Sequence, residues 1–141
     1  MRTSAGTEGM RWLAQAERDL DDARFALSGQ RFNLACFLCQ QSAEKALKGY
    51  LFIKGAEEVW GHSVAELSDD AKYFDKGFAQ LKPRVALLDK YYIPTRYPNA
   101  LPGGIPADAF DEEDARRAIS LAEETLRFIK DKIEEEGNRG A

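Results

Sequence analysis

Apolar residues recur along this chain in alternating steps of three and four, the spacing that lines one face of an α-helix. Between Met10 and Ser28 they are Leu13, Ala16, Leu20, Ala23 and Leu27, and Gly29 follows as a helix stop. Gln30 alone separates this helix from a second, Arg31 to Lys54, whose stripe runs through Phe32, Cys36, Cys39, Ala43, Ala46, Leu47 and Tyr50. A link so short predicts an antiparallel helical hairpin. Leu34, Phe37 and Leu38 project from the opposite side of the second helix. Its first half is therefore expected to be buried on two sides, the outer one against another copy of the chain. Its second half carries Lys45 and Lys48 outside the stripe, with Gln41 and Glu44 beside them, and is expected to present a polar edge.

After Gly55 the stretch AEEVWGHS reads as a loop, and Ser63-Val-Ala-Glu66 as a capping box opening a short helix from Val64 to Tyr73. Phe78, Leu81, Val85, Leu88 and Tyr92 step in the same rhythm. Pro83 is assigned to the first turn of a helix from Pro83 to Tyr92, where its missing N–H costs nothing. Residues 93–110 hold four of the five prolines and the Gly103-Gly104 pair, which predicts an extended, stiffened loop. Loops of that length are more often functional or disordered than merely connecting. Asp111 is predicted to cap a last helix with Glu112, Glu113 and Asp114 in its first turn, and Ala115, Ile119, Ala122, Leu126, Ile129 and Ile133 form its stripe to about Glu136. Residues 1–9 are expected to be disordered and 137–141 to fray, leaving one domain over 10–136. No period-two pattern appears. The predicted fold is all-α, an up-and-down bundle of four to five helices with a long Pro-rich loop before the last one.

Composition leaves this picture intact. Of 141 residues 44% are apolar and 31% charged, enough for a single core without disulfides. The formal charge of −4 argues against general coating of nucleic acid. Charge is nevertheless segregated. Residues 111–136 carry ten acidic and five basic side chains, whereas 31–54 and 82–97 are each net +3. If those two basic segments adjoin, they make a cationic site on an acidic protein. The start MRTSAGTEG is not a signal peptide and no run approaches a membrane span, so a cytoplasmic protein with free thiols is expected.

Cys36-x-x-Cys39 sits on a continuous helix with both sulfurs toward the core and one histidine in the whole chain, so it reads as two small core residues; neither metal nor cofactor is expected. That histidine, His62, is either a loop residue at the mouth of the third helix or an acid/base group or phosphate contact near neutral pH. The carboxylates of the last helix read as a solvated face. Tyr91-Tyr92-Ile-Pro-Thr-Arg96-Tyr97-Pro98 offers a forked guanidinium suited to phosphate and rings able to stack on a base. Alternatively, the tyrosines pack the loop onto the bundle and Arg96 pairs with an acid of the last helix.

Four stretches together resemble the HEPN domain family: Trp12-Leu-x-x-Ala16-x-x-Asp19-Leu20; Ala35-Cys36-Phe37 with Gln40-Gln41-Ser42-Ala43-Glu44-Lys45-Ala46-Leu47-Lys48; Gly61-His62-Ser63-x-x-x-Leu67; and Tyr92-Ile-x-x-Arg96-Tyr97-Pro98. The resemblance spans about residues 10–135. It implies a cytoplasmic prokaryotic helical bundle, usually a homodimer, of a kind often encoded beside a minimal nucleotidyltransferase in toxin–antitoxin-like pairs. Some relatives bind nucleotides and others are metal-independent ribonucleases that use an Arg followed a few residues later by a His. This chain departs from that pattern, because no His follows Arg96. Cleavage here would need another arrangement, such as His62 meeting Arg96 in space or across a dimer. The expected function is therefore a nucleotide- or RNA-binding module, a partner of a nucleotidyltransferase, or both. Lys45, Lys48 and Arg96 would lie on phosphate, Tyr92 or Tyr97 on a base, and Leu34, Phe37 and Leu38 at the dimer interface. A ribonuclease toxin and a purely structural adaptor are the alternatives.

Overall fold

The structure is a computed structural model that describes residues 4–139. Five α-helices, α1 (Ala5–Ser28), α2 (Phe32–Ile53), α3 (Val64–Lys72), α4 (Phe78–Val85) and α5 (Glu112–Arg139), carry the fold, and short 3-10 segments fill much of the way from α4 to α5. The all-α bundle is as the periodicity predicts. The stripes face inward: Leu13, Ala16, Leu20 and Ala23 of α1, Cys36 to Tyr50 of α2, and Ala115 to Ile129 of α5 are buried.

Helix α2 is the axis, touching α1, α3 and α5. Small side chains let α1 come close to it. Ser42 donates its Oγ hydrogen to the Ala16 carbonyl at 2.7 Å, and Gly9 faces Gly49 so closely that a Cβ on Gly49 would lie 2.8 Å from the Gly9 carbonyl oxygen. The burial of α2 differs from the expectation in its second half. Its second half is enclosed all round from Ser42 to Leu51 apart from Lys45, which is half-buried, while Leu34 in the first half is exposed and Phe37 and Leu38 are half-buried. No polar edge results, because Glu44 and Lys48 pair with each other inside the structure.

Several boundaries also move. Helix α1 begins at Ala5 rather than Met10, with Ser4 accepting from the Thr7 N–H at 3.1 Å, so residues 5–9 are helical; residues 1–3 lie outside the described part. Helix α5 continues past Glu136 to Arg139, and residues 140–141 lie outside the described part. The hairpin between α1 and α2 closes with Gln30, not Gly29, in the left-handed region at φ 59°, and the Arg31 N–H returns to the Ala26 carbonyl at 2.8 Å. Helix α4 starts at Phe78, so Pro83 lies near its end, not its start. The backbone bond that Pro83 removes lies inside α4, which ends two residues later where the 3-10 segment Ala86–Tyr91 begins.

The Pro-rich loop is less extended than expected. Residues 93–97 coil into a turn in which the Arg96 and Tyr97 N–H groups both reach the Ile93 carbonyl, and Pro98 and Pro106 each open a 3-10 turn. Tyr97, Leu101 and Ile105, each just before a proline, keep extended backbones, as crowding by the proline ring requires. Asp111 and Asp114 cap α5 reciprocally, at 2.9 and 3.0 Å. Among the described residues no helix is long and apolar enough to cross a membrane.

Candidate functional site: an arginine on an aromatic cage

Three chain segments meet at one end of α2. The turn 93–97 is tied there by Asn33, whose side-chain amide donates to the Thr95 carbonyl at 3.0 Å, and by the buried Thr95 hydroxyl bonded to the Tyr91 carbonyl. The loop between α2 and α3 is tied by Gln40, fully buried, whose amide donates to the His62 carbonyl at 2.7 Å. Asp89 fastens this loop to the 3-10 segment. Its carboxylate accepts from the Val64 and Ala65 N–H groups at 2.7 and 3.0 Å and from the Ser63 hydroxyl at 2.8 Å. Asp89, rather than Glu66, thus fills the N-terminus of α3 beside Ser63, where the helix dipole favours a carboxylate.

These anchors bring Arg96 over three rings. Its Cζ lies 4.3 Å from the centre of Phe37, 4.8 Å from Tyr92 and 5.1 Å from Tyr97, and its Nε–H donates to the Tyr92 carbonyl at 2.9 Å. The guanidinium is thereby fixed by cation–π contacts and one hydrogen bond. The residue is exposed, and among the described residues no carboxylate lies within ion-pair distance of it. The pairing of Arg96 with an acid of the last helix is therefore not what forms; Arg84 takes that role with Glu124. The two terminal nitrogens of Arg96 carry four N–H donors in a plane, the set that matches phosphate oxygens in a bidentate contact.

His62 stacks on the same Tyr92 ring, centroid to centroid 5.2 Å at 17°. Its Nδ1 lies 3.3 Å from Oε2 of Glu44. A carboxylate only accepts, so Nδ1 carries the proton in this contact and Nε2 is left to meet a ligand. Glu44 is buried and its same oxygen receives the Lys48 ammonium at 3.2 Å, while Lys48 also lies 5.6 Å over the Trp12 ring. Lys48 is 7% exposed and so faces protein rather than solvent. Lys45 is held 2.6 Å from Asp19, which Gln15 also bonds. Of the residues that the sequence suggested for ligand contact, Tyr92, Arg96 and Tyr97 come together with His62 beside them; Lys45 and Lys48 are each matched to an internal acid. The positive character of the site rests on Arg96.

Glu44, Gln40 and Asp89 were not anticipated as parts of this site. Glu44 had one signal, its i,i+4 placement before Lys48; Asp89 had none, because its partners lie 24 to 26 residues away.

The two cysteines lie apart from this chemistry. Burial pushes the Cys36 thiol up to about 12, with Asp114 and Asp111 adding to the shift, and raises Cys39 further. Neither sulfur is ionised at neutral pH, and only the thiolate reacts. Native protein at pH 8 is accordingly expected to resist iodoacetamide at both positions and to take up two equivalents once unfolded in guanidinium, read by mass spectrometry.

Comparison with known proteins agrees with the all-α fold. The family model described as HEPN domain matches residues 10–133. A Methanocaldococcus jannaschii protein named "Putative toxin MJ1304" is 26% identical over 133 residues, covering 88% of this chain and 87% of that protein. A crystal structure of the Thermus thermophilus protein TT1696 superposes with a TM-score of 0.83 at 39% identity, over 88% of this chain and 97% of the other. The archaeal HEPN homologue ST0689 gives 0.74 at 39% identity, over 94% and 99%. A Thermotoga maritima HEPN domain protein gives 0.70 at 32%, over 88% and 98%.

Proposed function

Because this chain belongs to the HEPN domain family, we propose that it binds a phosphate-bearing nucleotide unit, free or within RNA, at the Arg96 cluster. The observation that carries the reading is the exposed guanidinium resting on Phe37, Tyr92 and Tyr97 with no carboxylate to neutralise it among the described residues. Phosphate accepts from the free guanidinium nitrogens, the base stacks on Tyr97, which is 48% exposed, and His62 Nε2 lies at the margin. The name of the Methanocaldococcus jannaschii relative supports a toxin role, and the partner we propose for this chain is a minimal nucleotidyltransferase. Leu34, at 45% exposure one turn before Phe37, and Ile93 at 41% extend the cluster with apolar surface suited to a second copy of the chain.

Isothermal titration with ATP, GTP and a short RNA tests the reading. Removing a charge-assisted phosphate contact costs about 1.5–3 kcal/mol, so Arg96→Ala is expected to weaken binding roughly 10- to 100-fold. Absence of heat at millimolar ligand for both proteins would remove the proposal.

A second reading, a metal-independent ribonuclease toxin, draws on the Glu44–His62 contact. An imidazole held at Nδ1 by a buried carboxylate turns Nε2 toward a 2′-hydroxyl as acid or base. RNA cleavage that disappears in His62→Ala is required by that reading, and cleavage that persists excludes the histidine as catalyst.

A further inference from the structure

The loop that carries His62 to the Arg96 cluster carries Trp60 to a different face. There Trp60, Tyr73 and Phe74 are 78%, 89% and 39% exposed, the largest group of exposed aromatic side chains brought to one place outside the Arg96 cluster. They line an open groove of about 500 Å³ together with Glu58, Asp69 and Asp70. The rings are set rather than loose. The indole N–H of Trp60 donates to Glu58 at 3.3 Å, Tyr73 and Phe74 meet edge to face at 5.5 Å, and Gly55 and Gly61 hold the loop in left-handed turns at φ 102° and 95°.

Charge decides what fits. No lysine or arginine lines the groove, and among the described residues neither Glu58 nor Asp70 has a cationic partner; Asp69 alone is matched, to Lys82 and Lys72. A second groove shares Glu58 and adds Glu57 and Glu8. Exposed rings bordered by unmatched carboxylates repel phosphate and attract guanidinium and ammonium groups, which gain cation–π contact and ion pairing together. We propose that this face docks a basic, arginine-bearing segment of a partner protein. It is opposite in sign to the Arg96 cluster, so one module would present a phosphate-binding side and a cation-binding side.

The test uses a fluorescein-labelled hexapeptide alternating arginine and glycine, with a glutamate-for-arginine version as control, read by anisotropy on the full chain. Saturable binding of the arginine peptide is expected. Trp60→Ala, and separately the pair Glu58→Gln with Asp70→Asn, should each weaken it roughly tenfold, while Arg96→Ala should leave it unchanged. Because these side chains are exposed, circular dichroism of the variants should match the wild type. The proposal is overturned by no binding at millimolar peptide, by equal affinity in wild type and Trp60→Ala, or by equal binding of the glutamate control. It is also overturned if Trp60→Ala with Tyr73→Ala turns a dimer into a monomer in sedimentation, since the occupant would then be a second copy.

Discussion

Gly49→Leu is expected to destabilise the protein by about 3 kcal/mol, the upper part of the range for overpacking a closed interface. A Cβ at position 49 already falls 2.8 Å from the Gly9 carbonyl oxygen and 3.1 Å from Leu13 Cγ, and the reciprocal Cβ on Gly9 overlaps the Ile53 side chain. The obstacle is the backbone of α1, which cannot turn aside as a side chain can, so the helices must separate along the seam that Ala16 and Ser42 also form. Urea denaturation should show a lowered midpoint with little change in slope. Gly103→Ala, at a site where an added Cβ meets nothing within 4 Å, serves as control and should stay within about 0.5 kcal/mol of wild type.

Glu44→Ala should be costlier still, by about 3–5 kcal/mol, because it leaves the Lys48 ammonium enclosed without its carboxylate. The same change frees the His62 ring, so loss of stability and loss of imidazole order should appear together. Glu44→Ala combined with Lys48→Leu removes both charges and should recover most of the stability without recovering the order of His62. Thermal unfolding of the three variants, with the His62 ring signals followed by NMR, separates the two effects. A Glu44→Ala protein as stable as wild type would mean that Lys48 reaches solvent after all.

What could be read from the chain and what could not divides along sequence distance. The stripes of α1, α2 and α5 were legible because helical periodicity is local, and so were the Asp111 cap and the thiols of Cys36 and Cys39 facing the core. The nearness of Tyr92, Arg96 and Tyr97 was legible for the same reason, since Arg96 and Tyr97 lie in one short turn that Tyr92 immediately precedes. The depth of Lys48 was not. Its surroundings come from Trp12, far earlier in the chain, and from a carboxylate whose other contact, His62, sits on a loop whose path no periodicity reveals. A lysine outside an apolar stripe looks exposed until something is known of what covers it. Phe37 was recognised as apolar and assigned to an interface. Its contact with Arg96 depends on the turn at 93–97 folding back onto α2, which the Asn33 bond to Thr95 secures across 62 residues. The position of Pro83 and the early start of α1 were missed for a local reason: small polar residues and a proline weaken the helix pattern without forbidding it.

The proposed binding of phosphate by the caged arginine is tested most directly on the Arg96 side chain itself. Its Nε–H, held by the Tyr92 carbonyl, should give a distinct signal in a ¹⁵N-correlated NMR spectrum, assigned by its absence in Arg96→Lys. On titration with ATP or a short RNA that signal should shift and saturate together with the Tyr92 and Tyr97 ring resonances. Ligand binding that saturates while the Arg96 signal stays in place would contradict the account.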